Sequence, residues 1–540
     1  MLVSVATRQE SDTVRLRAEA NRLGCELAAS QARVVELEGL VAALREKVAT
    51  LAKLVFGTSS EKNQASQKLT VPSSGEDAGA AAGEPRRRRG QQPGSTGHGR
   101  RDYSGLETVE EIHDLPEDER VCPQCDSPYA PFGEETSEQV DWQVRIVRIV
   151  HRRPTYRRTC HCPVAGVLVA QVPAKPILKG RFTTQFLARL LVEKYVLGRP
   201  LERVVAALDA DGLEVAKGTL VGVLKALSVL LAPLDEAIRA RNATAGHLHV
   251  DETSWRVFED LAGKANHRWW LWVFLGPDTT VFHIDPTRSG DALRRHLGIE
   301  AEACSLEAGR RLLVSSDFFT VYQSLAQVEG VDPLWCWAHI RRYFIRAADA
   351  HKELRVWNKA WLERIGALYV AHRALSDMRA GSAGHAQAAC DFALALDAID
   401  VVRQKQAGDA MLHPAARKVL ATLDHEWEGL ARHEAFPELP LDNNAAERAL
   451  RNPVVGRKNY YGSGSRWAAE LAARVWTITA TASRADGNPL TYLACYLDAC
   501  GEAGGRAPRG SALTRFLPYT ATKADLAIWS DPLSGPGPGP

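Results

Sequence analysis

The chain has 540 residues, 45% of them hydrophobic and 24% charged. That is the balance of an ordinary globular protein and excludes a largely disordered chain or a small disulfide scaffold. Lys and Arg number 67 against 65 Asp and Glu, a formal net charge of +2, so only the distribution of charge can point to a partner. At roughly 150 residues per domain the length predicts three or four domains. No stretch approaches the roughly 18 apolar residues of a membrane span. The longest run, Trp269 to Leu275, is strand-length, and Arg8 and Glu10 stand where a secretory signal would need an apolar core.

Residues 14–56 carry a heptad. Leu16, Leu23, Leu37, Leu44 and Leu51 occupy one position, with Ser30 the miss, and Ala20, Leu27, Val34, Val41, Val48 and Val55 occupy the other. Mostly β-branched residues at a with Leu at d favour a parallel two-stranded coiled coil. An amphipathic helix packed on its own domain would show a similar stripe, but the 3.5-residue period holds over five heptads. The coil predicts a homodimer or a higher oligomer. Residues 57–101 read as a flexible basic linker with no periodic apolar face. It contains Arg86, Arg87, Arg88 and Arg89, which serve either as a solvated tail or as a mobile arm for phosphates.

Four of the ten cysteines fall in two tight pairs, Cys122/Cys125 and Cys160/Cys162. Four thiolates can close a tetrahedral structural zinc site, so residues 102–175 are expected to form a small Zn²⁺ module, with His161 able to replace one sulfur. Between the pairs lie Arg145, Arg148, Arg152, Arg153, Arg157 and Arg158, interleaved with Trp142 and Tyr156. A basic face on a rigid module suits DNA reading; a charged sheet face without a ligand is the plainer alternative. Residues 176–240 keep helical spacing, and Lys217-Gly218-Thr219-Leu220 looks like a turn entering a helix.

From His247 the period changes to two. His247 to Asp251 alternates as a half-buried strand does. His267 to Leu275, Thr279 to Ile284 and Leu312 to Val314 follow as strands, and Pro333 to Trp337 as a fifth. Residues 340–435 turn helical. Antiparallel strands followed by strand–helix alternation suit an α/β nuclease-type sheet with a helical insertion. Asp251 and Asp317 each stand at or just beyond the apolar part of a strand. Hard oxygen ligands there would suit Mg²⁺, and two ions could clamp the oxygens of an in-line displacement, although Asp at strand ends is often a turn former. A third carboxylate, Glu447, lies three residues after Asn444. That is also the spacing of a capping box, and Arg451 is placed for an ion pair one turn on.

An ordered set of motifs bears on that choice: Asp251-Glu252-Thr253, Ser316-Asp317, Cys336-Trp337-Ala338-His339-Ile340-Arg341-Arg342-Tyr343-Phe344, Asp442-Asn443-Asn444-Ala445-Ala446-Glu447-Arg448, and Gly456-Arg457-Lys458-Asn459-Tyr460-Tyr461-Gly462-Ser463-Gly464-Ser465. In this order they resemble the insertion-sequence-66 family of bacterial transposases. Leu54-Val55-Phe56-Gly57 with Ser59-Ser60-Glu61-Lys62, the Arg-rich stretch and the two Cys pairs extend the resemblance from about residue 14 to about 520.

The resemblance implies a ribonuclease-H-like α/β catalytic domain over residues 241–480 with a helical insertion at about 345–440, preceded by the N-terminal coiled coil and the zinc-binding module. Residues 481–530 are expected to form a C-terminal helical region, and the Pro/Gly composition of residues 531–540 reads as a disordered tail. The resemblance also implies a DDE triad of Asp251, Asp317 and Glu447 holding two Mg²⁺ (or Mn²⁺) ions. The activity would be cleavage at element ends and joining of the freed 3′-hydroxyl to target DNA. DNA is the implied partner, small companion transposition proteins can accompany the family, no membrane is involved, and the expected location is cytoplasmic and nucleoid-associated. Arg341, Arg342, Arg448, Arg451, Arg457 and Lys458 become candidate phosphate contacts beside the basic arm, with an ordinary surface charge the plainer reading of any one of them. Cys336 and His339 resemble a Cys/His signature found after the second Asp in several such enzymes; a structural pair near the site is the simpler role. The competing functions are a dimeric zinc-dependent DNA-binding protein without catalysis and a ribonuclease-H-like nuclease that cuts without joining.

Overall fold

The computed structural model describes residues 146–531 apart from Arg158, 160–164, Gly166, 263–265, Ala380 and Ala383, together with the isolated residues Arg33 and Gln124. The heptad, the four-arginine run and the four paired cysteines therefore lie outside the described residues, as does the tail beyond Asp531. The chain divides into two compact units, residues 1–143 and 144–540, and all the strands named below belong to the second.

A short antiparallel hairpin comes first, β1 (Thr155–Arg157) with β2 (Val167–Val169). Three helices follow: α1 (Thr184–Leu191), which runs on as a π-helical turn (Val192–Val196), α2 (Leu201–Ala210) and the long α3 (Lys217–Ala243). The sequence then builds one sheet from β3 (His247–Arg256), β4 (Arg268–Leu275), β5 (Thr280–Asp285), β6 (Leu312–Ser316) and β7 (Val331–Trp335). The order is β5-β4-β3-β6-β7. The first three strands form an antiparallel meander, and β6 and β7 extend it in parallel from β3. Helix α4 (Gly290–Leu297) leads from the meander towards β6, and α5 (Thr320–Leu325) joins β6 to β7.

The expected strands are present with two adjustments. β3 runs five residues past Asp251, to Arg256. The fifth strand begins at Val331 and ends at Trp335, so Cys336 caps a helix instead of lying in a strand. Pro333 sits in β7 without loss because β7 is an edge strand, where a missing N–H interrupts no ladder.

Both sheet edges are covered by side chains from helices. On β5, Thr477 Oγ1 accepts from Phe282 N (2.9 Å), and Thr481 Oγ1 accepts from Thr280 N (3.1 Å) and donates to Thr280 O (3.2 Å). The two threonines are four residues apart on α12 (Arg466–Arg484) and so meet the edge from one helix face. On β7, Arg432 donates to Pro333 O (2.9 Å) and His433 lies 3.1 Å from Trp335 O. Such covering removes the open hydrogen-bonding row that would otherwise invite pairing with another chain. Gly429 lets the backbone approach there, since a Cβ at that position would collide with the Trp335 ring.

The helical insertion consists of α6 (Trp337–Ala350), α7 (Arg355–Ser376), α8 (His385–Ala407), α9 (Pro414–His425) and α10 (Trp427–Ala431). Its core includes Phe344 stacked on Trp361, with ring centroids 4.9 Å apart. The chain then returns to the sheet as α11 (Asn444–Tyr460) and α12, and closes with α13 (Pro489–Glu502), α14 (Ser511–Thr514) and α15 (Lys523–Ser530). Among the described residues no helix is long and apolar enough to cross a membrane.

Candidate catalytic site

Strand register brings the two aspartates together. His249 of β3 pairs with Ser315 of the parallel strand β6. Two residues on from this pair stand Asp251, still within β3, and Asp317, the residue just past the end of β6, and the charge of Asp317 reaches Asp251. Glu252, the residue after Asp251, falls on the opposite face of β3. There Arg288 Nε donates to its carboxylate (2.8 Å) and Tyr322 OH donates as well. Arg288 is itself held over the Phe319 ring, 3.6 Å from its centroid.

Glu447 arrives from α11, and Asn443 sets where that helix lands. The Asn443 side chain is buried; its Nδ2 donates to Val250 O (2.7 Å) and its Oδ1 lies 3.0 Å from His249 Nδ1. Its backbone N–H donates to Cys336 Sγ (3.2 Å), and Trp337 N donates to Leu441 O (2.9 Å). One residue thus ties the start of α11 to the strand that carries Asp251 and to the end of β7. Asn443→Ala would leave His249 and Val250 O without these partners. At about 1–3 kcal/mol for each buried unsatisfied group, urea unfolding should show a loss of about 2–6 kcal/mol.

The capping-box expectation fails on geometry. Asn443, not Asn444, is the N-cap, and it makes no side-chain capping bond. Instead Asp442 Oδ1 accepts from Asn444 N (3.1 Å). Glu447 does not turn back to the helix end or forward to Arg451. Its two oxygens accept from Arg342 Nη2 of α6 at 3.0 and 3.1 Å, and His339 Nε2 lies 3.8 Å away.

Electrostatics register the convergence of the three carboxylates. Asp251 is pushed up to about 8, first by burial and then by the negative charge of Glu252, Asp317 and Glu447. Burial, followed by the Arg342 guanidinium, holds His339 below its usual value. The buried Cys336 thiol is pushed up to about 11, mainly by desolvation, which makes it a poor thiolate donor and an adequate acceptor for Asn443 N–H. Asp251, Asp317 and Glu447 offer only hard oxygen donors, the donor type that suits a divalent cation such as Mg²⁺.

The carboxylates are not drawn into a closed ligand shell. Among the described residues, the group whose donor atoms all lie within 4.8 Å of one another is His351, Glu353 and His413. In that group His413 Nδ1 accepts from Ala415 N (3.2 Å), which leaves the proton on Nε2 facing Glu353 Oε1 at 3.3 Å. That is a hydrogen-bonded arrangement.

The candidate DNA contacts divide. Arg448, Arg451 and Lys458 are exposed on α11, and Arg448 lines, with Asn452 and Arg484, a cleft of about 320 Å³ between α11 and α12. Arg457 is turned onto β3, where Nη1 donates to Thr253 Oγ1 (3.0 Å) and to Ser254 O. Arg152, Arg153 and Arg157 are exposed in and before the β1–β2 hairpin. Arg86 to Arg89, Arg158, Cys122, Cys125, Cys160 and Cys162 lie outside the described residues.

A family model described as "Transposase IS66 family" matches residues 179–471, a span that takes in all three carboxylates and the helical insertion. The chain belongs to the IS66 transposase family. Transposases of this kind act on DNA. Curated relatives of this IS66-family chain include the uncharacterized protein y4qI of Sinorhizobium fredii (strain NBRC 101917 / NGR234), 26% identical over 499 residues, covering 86% of this chain and 88% of that one. Another from the same strain, the uncharacterized protein y4jD, is 26% identical over 403 residues, covering 70% and 74%. No solved structure matches the chain.

Proposed function

We propose that this IS66-family chain is a DDE transposase with a ribonuclease-H-like catalytic domain, in which Asp251, Asp317 and Glu447 hold two Mg²⁺ (or Mn²⁺) ions. The observation that supports this reading is the β3–β6 pairing, which runs to His249 and Ser315, two residues short of Asp251 and Asp317, together with the Asn443 clamp between the start of the Glu447 helix and the same strand. The strand order, a meander extended in parallel from its first strand, supports the fold assignment. A dimeric repressor would have no use for a buried Asp251 whose proton affinity is raised by burial and by the charges of Glu252, Asp317 and Glu447.

When bound, the ions would supply activation of water or a 3′-hydroxyl and charge stabilisation at the phosphorus. The chain's own residues do the rest. Glu252, fixed by Arg288 and Tyr322, anchors β3 behind Asp251. Arg342 neutralises Glu447 until a DNA phosphate takes over its guanidinium, and the exposed Arg448, Arg451 and Lys458 hold flanking phosphates. The N-terminal heptad as a dimerising coil, the Cys122/Cys125/Cys160/Cys162 quartet as a structural Zn²⁺ site and Arg86 to Arg89 as a DNA-binding arm belong to the same proposal.

The test is the purified full chain with Mg²⁺ and a DNA carrying the inverted ends that flank its coding sequence, scored for 3′-end cleavage and for product joined to a target duplex. Joined product that disappears with EDTA is expected. Cutting without joining would convert the reading to a nuclease, and binding without either would leave a DNA-binding protein.

A further inference from the structure

At the far end of β3 the sheet carries a charge arrangement that does nothing for folding. Arg256 and Arg268 are directly opposite each other in the antiparallel β3–β4 pair. Like charges at such positions repel. Both are exposed, and among the described residues neither side chain has an ion-pair partner. The nearby Glu259 is spent elsewhere, with Oε2 accepting from Arg466 N (2.6 Å).

The loop after α11 is fastened beside this pair. Ser463 N donates to Arg256 O (2.8 Å), Phe258 N donates to Ser463 O (2.8 Å), and Trp255 Nε1 donates to Ser463 Oγ (3.1 Å). Gly462 lies so close that a Cβ there would collide with Arg256 O. The preceding residue, Tyr461, has φ +65, a left-handed conformation that disfavours any residue with a Cβ. Its side chain is 70% exposed and has no ring or hydrogen-bond partner among the described residues. Gly at this position would cost the fold less, so an exposed tyrosine ring on a strained backbone, in a loop fastened to the strand that carries Arg256, points to a ligand.

We propose that Tyr461, Arg256 and Arg268 form a docking station for an unpaired stretch of the DNA substrate, the ring stacking on a base and the arginines taking the adjoining phosphates. Stacking on an exposed aromatic together with a cationic track is how single strands are held without sequence readout. Exposed Lys458, in the last turn of α11, adds to the positive side. This rests on the DNA-processing reading above. Both supports of the station start at the catalytic carboxylates. From Asp251 to Arg256 is five strand residues, about 17 Å, and from Glu447 to Tyr461 is 14 residues along α11, about 20 Å.

The experiment uses the full chain and a fluorescein-labelled 15-nucleotide oligo(dT), with a 15-base-pair duplex as comparison. Tyr461→Gly should bind the single strand about ten-fold more weakly while its thermal midpoint stays level or rises, and Tyr461→Phe should bind as the wild type does. The Arg256→Gln/Arg268→Gln pair should flatten the slope of log affinity against log salt by about 1.4, the value for two lost single-strand phosphate contacts. Unchanged binding by Tyr461→Gly would overturn the proposal, and so would binding and thermal midpoint falling together, because the ring would then be structural. A larger loss for the duplex than for the single strand would also overturn it. An Asp251→Asn control separates the two readings. Oligo(dT) binding that survives this change, with no joined product from the wild type, removes the catalytic reading and leaves the station. Loss of joining with Asp251→Asn but unaltered binding by Tyr461→Gly does the reverse.

Discussion

Asp251→Asn is expected to lower DNA cleavage and joining by at least about 10²–10³-fold, the loss that accompanies removal of a principal charge-stabilising group, with DNA affinity retained. The side chain keeps its size and its place in β3, so the sheet survives. The substitution removes an anionic ligand from a position where hydrogen-bonding oxygen alone does not suffice for Mg²⁺. Asp317→Asn and Glu447→Gln should fall to the same floor, and double variants should fall no further, because on the proposed reading the three form one ligand set and such effects are strongly non-additive. The Glu447 variant carries a second signature. Losing the carboxylate frees Arg342, which is paired with it through both oxygens, so DNA affinity should rise slightly as catalysis disappears. Measuring cleavage by gel and affinity by anisotropy on the same preparations separates the effects. An Asp251→Asn protein with wild-type joining would end the catalytic assignment.

The strands were legible because their physics is local. His247 to Asp251 alternates since one face of β3 is buried and the other meets polar groups, and Trp269 to Leu275 is apolar throughout because β4 is an interior strand covered on both faces. Pro333 shows where local physics stops helping. It weakens any strand signal, yet an edge position tolerates it, and edge status is a property of the whole sheet. Asp251 and Asp317 could be picked out one at a time, but their approach depends on the pairing of His249 with Ser315, a contact between residues far apart along the chain.

Glu447 was the harder case. Its spacing from Asn444 satisfies a capping box, and only tertiary contacts show that the asparagine doing the work is Asn443, which is spent on His249 and Val250 O instead of on the helix end. Nothing in the run Asp442-Asn443-Asn444 separates the three without the strand they meet. Arg457 is a parallel instance: a basic residue in a Gly-rich motif reads as a phosphate contact, but its guanidinium bonds to β3.

The crowding of carboxylates also predicts how the metal-free protein responds to pH. Asp251 holds its proton up to about pH 8 in the folded chain but only up to about 4 when unfolded. Between those limits the folded state binds the extra proton, so the stability linked to this group is fully present below about pH 4 and is lost as pH rises through about 8. Glu252 is shifted the same way, chiefly by burial, and adds to the slope. In EDTA, urea unfolding should therefore show stability falling from pH 6 towards 9, by up to about 1.4 kcal/mol per pH unit for each group fully out of step between the two states. Asp251→Asn carries no charge to desolvate, so its curve should be flatter and should cross above the wild type at the alkaline end. Mg²⁺ should restore the wild type there and do little for the variant, since cations that bind only the folded form stabilise it by mass action. Parallel curves for the two proteins in EDTA would mean that Asp251 is solvated and ionised throughout, and that the pocket lacks the charge density a pair of divalent ions requires.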